Sequence, residues 1–156
     1  MNIQYKSPTK EQIIQKLELK QLPNEGGYFR LMYRSSFSSA IFYLVAPNDF
    51  SLLHRLKSDE HFHFYAGDPV EMVQISEEGI LKTITIGSNI MNGQEPQVLA
   101  PAGICQGARL QEGGQWALLG TTMAPRYEDS EFELADRNIL LHQFPKLSEI
   151  IRKYTR

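Results

Sequence analysis

The residue types best suited to chemistry in this chain are an imidazole and a carboxylate, His54 and Glu60, set either side of a polar turn. They belong to the stretch Ser51-Leu-Leu-His54-Arg-Leu-Lys-Ser-Asp-Glu60-His-Phe-His63-Phe-Tyr-Ala-Gly67-Asp-Pro69, which holds three of the four histidines. Their immediate neighbours are Leu and Phe, and burying a polar group among such residues costs free energy unless it finds partners. An unperturbed imidazole titrates near pH ~6.5, which makes His54 a candidate general base. Glu60 would orient it or favour its charged form.

The elements that must position these groups are short strands. Two apolar segments, broken by Lys57-Ser-Asp59 and closed by Gly67-Asp-Pro69, read as consecutive strands. Side chains alternate faces along a strand, so Glu60, Phe62 and Phe64 share one side while His61, His63 and Tyr65 share the other. The side with one carboxylate and two large hydrophobes is read as the inward one. His54 then sits with Leu52 and Leu56. From Tyr28 to Met123, segments rich in Ile, Val, Phe, Tyr and Thr alternate with turns at roughly 8–12-residue spacing. This predicts eight to ten strands over about 28–123, in a sandwich or barrel. No intervening segment is long enough for the crossover helix a parallel sheet requires. The capping box Thr9-Lys-Glu-Gln12, followed by Ile13, Ile14, Leu17 and Leu19, predicts a helix over about 10–20. Beyond Pro125 the pattern turns helical again, with a segment over about 136–155 capped by Asp136 and interrupted by Pro145. All 156 residues fit one domain.

Composition narrows the function classes. Apolar residues make up 42% and charged residues 22%, with 16 basic against 18 acidic side chains and a net charge of −2. That balance argues against a nucleic-acid partner. No window is apolar enough for a membrane span, and the polar N-terminus lacks the apolar core of a secretory signal. Cys105 is the sole cysteine, so no intrachain disulfide forms. A cytoplasmic protein is expected.

Other residues carry competing readings. The glycines of Glu25-Gly26-Gly27-Tyr28-Phe29-Arg30 point to a close backbone approach. Strand alternation places Arg30 and Arg34 on one face with Tyr28 and Met32. They either grip a substrate anion or decorate the surface. Trp116 is read as core, or as a platform for a planar ligand. Cys105 lies on the face opposite Gln106, as a buried inert thiol. His142 is read as structural, and Glu128-Asp-Ser-Glu131 as a solvated loop.

The spacing His54, five residues, Glu60, six residues, Gly67 resembles the first motif of the cupin superfamily. Pro101-Ala102-Gly103-Ile104-Cys105-Gln106 resembles the second, Pro-x-Gly-x-x-His, with Gln106 in place of histidine. More narrowly the chain resembles cupin family 5, through Glu25-Gly-Gly-Tyr-Phe-Arg30, Tyr33-Arg-Ser35, Asp59-Glu60, His63-Phe-Tyr-Ala-Gly-Asp-Pro69, Gly93-Gln94, Pro96-Gln97, Pro101-Ala-Gly103, Ala124-Pro125 and Phe132-Glu-Leu-Ala135. The resemblance implies an all-β cupin double-stranded β-helix, a jelly-roll barrel, with flanking N- and C-terminal helices. It implies a homodimer and a pocket at the barrel mouth, lined by His54, Glu60, Phe62, Gln106 and Trp116. A small polar or anionic metabolite is the expected ligand. Many cupins bind metal through three histidines and a glutamate; Leu52 and Gln106 replace two of those histidines here. The set is reduced to His54, Glu60 and the amide of Gln106, a poor one for iron, copper or zinc, so no cofactor is expected. Sugar-nucleotide epimerases share this fold, with a histidine base on the strand of His54 and a tyrosine acid on a later one. Met123 and Ala124 stand near where that tyrosine would fall, and Tyr127 is a displaced substitute. A metal-dependent dioxygenase or isomerase and a non-catalytic module using His61 and His63 at an interface are the remaining readings.

Overall fold

A computed structural model describes residues 7–156. Eleven strands are present among them: β1 Lys20–Gln21, β2 Tyr28–Arg34, β3 Ser39–Val45, β4 Ser51–Leu56, β5 Glu60–Gly67, β6 Val70–Ile75, β7 Leu81–Ile86, β8 Gln97–Ala100, β9 Cys105–Leu110, β10 Ala117–Met123 and β11 Phe132–Leu134. They form a six-stranded sheet, ordered β1-β2-β3-β10-β5-β8, and a five-stranded sheet, ordered β11-β4-β9-β6-β7. Each of these strand pairings is antiparallel. The inner faces enclose Tyr43, Phe62, Met72, Ile86 and Leu119, all buried. Each such side chain contributes about 1.5–3 kcal/mol by leaving water. This is the all-β architecture that strand periodicity predicts and the jelly roll that the family resemblance implies, with the α-helices confined to the ends.

Three short helices flank the sheets: α1 Lys10–Lys16, α2 Arg137–Gln143 and α3 Ser148–Lys153. The expected capping box closes α1, with the Gln12 amide N–H donating to Thr9 Oγ1 and the Thr9 N–H to Gln12 Oε1. The helix ends earlier than predicted because Glu18 adopts a left-handed conformation, φ 54°, and turns the chain into β1. Asp136 caps α2 through the Ile139 N–H at 2.9 Å. Leu140 of α2, Ile151 of α3 and Tyr154 cover Leu53, Val73, Ile75 and Cys105 on the outer face of the five-stranded sheet. Cys105 therefore does face away from Gln106, and burial pushes its thiol up to about 11.

Two local readings are corrected. The segment after Pro125 does not go straight into helix: β11 extends the five-stranded sheet at its edge, with Leu134 opposite His54. The acidic run 128–131 is not simply solvated, since Glu128 accepts from both Arg34 and Arg126, at 2.8 and 2.6 Å. Among the described residues no helix is long and apolar enough to cross a membrane.

Candidate functional site

Register decides which side chains meet inside the barrel, because directly paired residues on neighbouring strands point to the same face. Across the six-stranded sheet one inward row runs Arg34, Ser39, Met123, Glu60, Ala100. Across the facing sheet another runs Leu134, His54, Gln106, Gln74. The two rows meet. Gln106 Nε2 donates to Glu60 Oε2 at 3.0 Å, bridging the sheets. His54, Glu60 and Gln106 are 1%, 8% and 1% exposed, so three residues singled out from sequence form one buried cluster.

His54 is held in one orientation. Its Nδ1–H donates to the Leu52 carbonyl at 2.7 Å, and a carbonyl can only accept. Whenever the ring is neutral, Nε2 therefore carries its free lone pair. The ring also stacks on Phe132 of β11, with centroids 5.2 Å apart.

A second carboxylate joins the cluster from the loop between β1 and β2. Glu25 Oε1 accepts the Ser51 hydroxyl at 2.7 Å and lies 4.0 Å from His54 Nδ1. The loop reaches this depth because Gly26 and Gly27, at φ 102° and 78°, carry no Cβ. A Cβ on Gly27 would stand 2.6 Å from the Tyr43 hydroxyl oxygen. That hydroxyl instead donates to the Gly26 carbonyl at 2.8 Å. Sequence reasoning placed the glycines but left Glu25 out of the site. Its signal was a carboxylate directly before a glycine pair that demands close approach.

The electrostatics follow from burial. Desolvation, reinforced by the charge of Glu25, raises the Glu60 carboxyl to about 7, against the opposing pull of His54, Thr121 and Gln106. Tyr43 is raised well above the usual phenol range by burial and then by Glu25. Tyr127 sits at the rim, its N–H donating to Ser39 Oγ at 2.9 Å. Burial raises its phenol, with the charges of Asp129, Glu25 and Glu60 adding to the effect.

The remaining predicted residues scatter. Phe62 is inward and buried in the apolar interior. Arg30 and Arg34 do not share a face. A bulge at Met32 pairs Leu31 with Ile41 but Tyr33 with Ala40, so the extra residue reverses the alternation. Arg30 points outward, ion-paired with Glu18 at 3.2 Å and donating to the Leu17 carbonyl. Arg34 is on the inner row but engaged by Glu128. Trp116 packs under α1 rather than in the barrel, its indole N–H donating to the Pro8 carbonyl at 3.0 Å. His61 and His63 take the outer face, with His63 meeting the Thr122 hydroxyl at 2.9 Å.

A family model described as Cupin superfamily (DUF985) matches residues 11–135. The chain belongs to this cupin family. A protein from Shewanella oneidensis of known structure is 32% identical, covering 96% of this chain and 99% of its own, with a TM-score of 0.91. A hypothetical protein from Leishmania major is 24% identical over 95% of this chain and 99% of its own, with a TM-score of 0.89. Oxalate decarboxylase from Bacillus subtilis, 14% identical, shares the fold over 88% of this chain and 37% of its own, with a TM-score of 0.60. No curated protein matches the chain.

The Bacillus subtilis enzyme is described with Mn(II) centres. At the positions where many cupins carry metal-binding histidines, this chain has Leu52 and Gln106, which leaves a donor set poor for iron, copper or zinc. Among the described residues no three His, Cys, Asp or Glu side chains are grouped to hold a metal ion. The position of the second-motif histidine carries an amide whose N–H end is aimed at Glu60, and N–H groups repel a cation.

Proposed function

We propose that this cupin binds a small polar metabolite at the inner cluster, with His54 and Glu60 as its proton-handling pair. The observation that carries the reading is the meeting of His54, Glu60 and Gln106 from three strands of two sheets, buried and bridged at 3.0 Å. Buried polar groups converging at one end of an apolar barrel are what ligand sites share. A titration near neutral pH suits Glu60 to give or take a proton. In a thermal-shift screen of small metabolites, ligands that stabilise the wild type are expected to lose their effect in His54→Ala and Glu60→Gln. Shifts retained in both variants, with native circular dichroism, would remove the cluster as the site.

A second reading, an isomerase or epimerase of keto compounds or nucleotide sugars, is supported by the fixed tautomer of His54. Nε2 would take the proton next to a carbonyl, and a protonated group would return one. Tyr127, whose phenol stays protonated at neutral pH, is the candidate acid. Deuterium from solvent should then enter the substrate in the wild type and not in His54→Ala; no incorporation into any nucleotide sugar or keto sugar tested would sink it. The homodimer belongs to the same proposal, with the outer face of the six-stranded sheet as its surface.

A further inference from the structure

The hydrogen-bond inventory of the cluster is one-sided. Apart from the Tyr127 phenol at its edge, the donors named below are spent within the fold. The Ser51 hydroxyl goes to Glu25, the Tyr43 hydroxyl to the Gly26 carbonyl and the His54 Nδ1–H to the Leu52 carbonyl. The Gln106 amide N–H goes to Glu60, and that of Gln74 to the Leu99 carbonyl at 2.9 Å. The acceptors are in surplus. Gln106 is 1% exposed and inward-facing, yet its Oε1 has no partner. The other buried side-chain atom without a partner among the described residues, Glu131 Oε2, is an acceptor too. Glu131 adjoins Phe132, which stacks on His54. The carboxyl oxygens of Glu25 and Glu60 add to the acceptors.

Buried polar atoms are almost always paired, so an orphan facing a site asks for a partner from outside the chain. What an amide oxygen lacks is a donor. An anionic ligand would bring further acceptors to oxygens that already lack donors, and the negative charge of Glu25, which already opposes ionisation of Glu60, disfavours it. The cations near enough to offset this are committed. Glu128 engages Arg34 and Arg126, and Arg126 also donates to the Ser35 carbonyl, while Arg30 lies on the other face. We infer that the ligand of this site is a hydrogen-bond donor without negative charge, presenting hydroxyl or ammonium groups to Gln106 Oε1 and the two glutamates. This narrows the expectation of a polar or anionic metabolite to one half of it, leaves neutral keto compounds rather than nucleotide sugars to the second reading, and rests on the inner cluster being the ligand site.

The test uses the full chain and three panels of matched size, from three to six carbons: neutral polyols and monosaccharides, aliphatic amines, and carboxylates. Binding is followed by saturation-transfer NMR and by the Gln106 side-chain amide signal, which reports on the wild type without a variant. Members of the polyol or amine panel should shift that signal, and their affinity should fall at least tenfold in Gln106→Met. The carboxylates should leave it unmoved at the same concentrations. The first two panels separate hydroxyl from ammonium as the donor. Carboxylates that shift the amide and lose affinity in Gln106→Met would overturn the inference while keeping the site. Polyols and amines that never move the amide would overturn it as well. Ligands of any class whose binding survives both His54→Ala and Gln106→Met would instead defeat the reading of the cluster as the site, and this inference with it.

Discussion

Glu60 is the residue whose ionisation the fold resists most plainly. Its carboxyl is raised to about 7 in the folded chain, against 4.5 for a free glutamate, through burial first and Glu25 second. Between those values the folded state keeps a proton that the unfolded chain gives up. The contribution to stability is therefore complete below pH ~4.5 and lost as pH rises through about 7, on the order of 3 kcal/mol in all. Glu60→Gln keeps the shape and removes the titration. Urea unfolding at pH 5 and pH 8 should show the wild type losing stability relative to this variant as pH rises. His63 works in the opposite sense, since burial and then His61 lower its pKa, but it is common to both proteins and cancels in the difference. Parallel pH profiles would show that Glu60 is ionised in the folded state at neutral pH. His54, Glu60 and Gln106 were legible in the sequence because polar residues interrupt apolar strands there. Glu25 was not, because the glycine pair after it announces a close approach but does not say that the loop folds beneath β4.

The elements show where alternation can be trusted. Over the first half of β5, before the register shifts at Tyr65, a period of two places Glu60 and Phe62 inward and His61 and His63 outward. In β2 the same rule fails at Met32, because a bulge is set by how the strand fits its partner and leaves no mark in its own residues. Arg30 and Arg34 were paired by that rule and are separated by that bulge. The glycine turn before β2 is the opposite case, where sequence announced a close approach and the structure supplies its object, Tyr43. Gly27→Ala demands a Cβ at φ 78°, and 2.6 Å from the Tyr43 hydroxyl oxygen. Either Tyr43 or the loop must move, loosening the bond to Gly26 and the seat of Glu25. A loss on the order of 1–3 kcal/mol is expected, read as a lower urea midpoint at constant slope. A midpoint unchanged from wild type would mean that the loop does not press on Tyr43 as described.

At the scale of the molecule the two sheets are treated unequally. The strand count and the turn spacing made an all-β fold legible, but not which outer face is covered, since that depends on where the terminal helices dock. The helices α2 and α3 bury the outer face of the five-stranded sheet, and the Leu53 N–H even donates to the Tyr154 carbonyl at 2.9 Å. On the six-stranded sheet α1 covers one end around Leu44 and Ala46. Beyond it an outward row runs Tyr33, Ala40, Thr122, His61, Leu99 across five strands. Tyr33 and Leu99 on that row are 56% and 42% exposed, and Tyr65 beside it is 53% exposed. Aromatic and aliphatic side chains on a continuous, little-charged sheet face are the composition of protein–protein contacts. A second copy placed against this row would meet itself about a two-fold axis, which requires one self-complementary patch and no other surface. Sedimentation velocity is expected to give a dimer for the wild type and a monomer for the double variant Tyr33→Glu with Leu99→Glu. Both substitutions are at exposed positions, so circular dichroism and the urea midpoint should change little. A monomeric wild type at tens of micromolar, or a dimer indifferent to both glutamates, would place the contact elsewhere or nowhere. Because the row is outward and the cluster of His54, Glu60 and Gln106 inward, the monomeric variant should still bind whatever ligand the wild type binds.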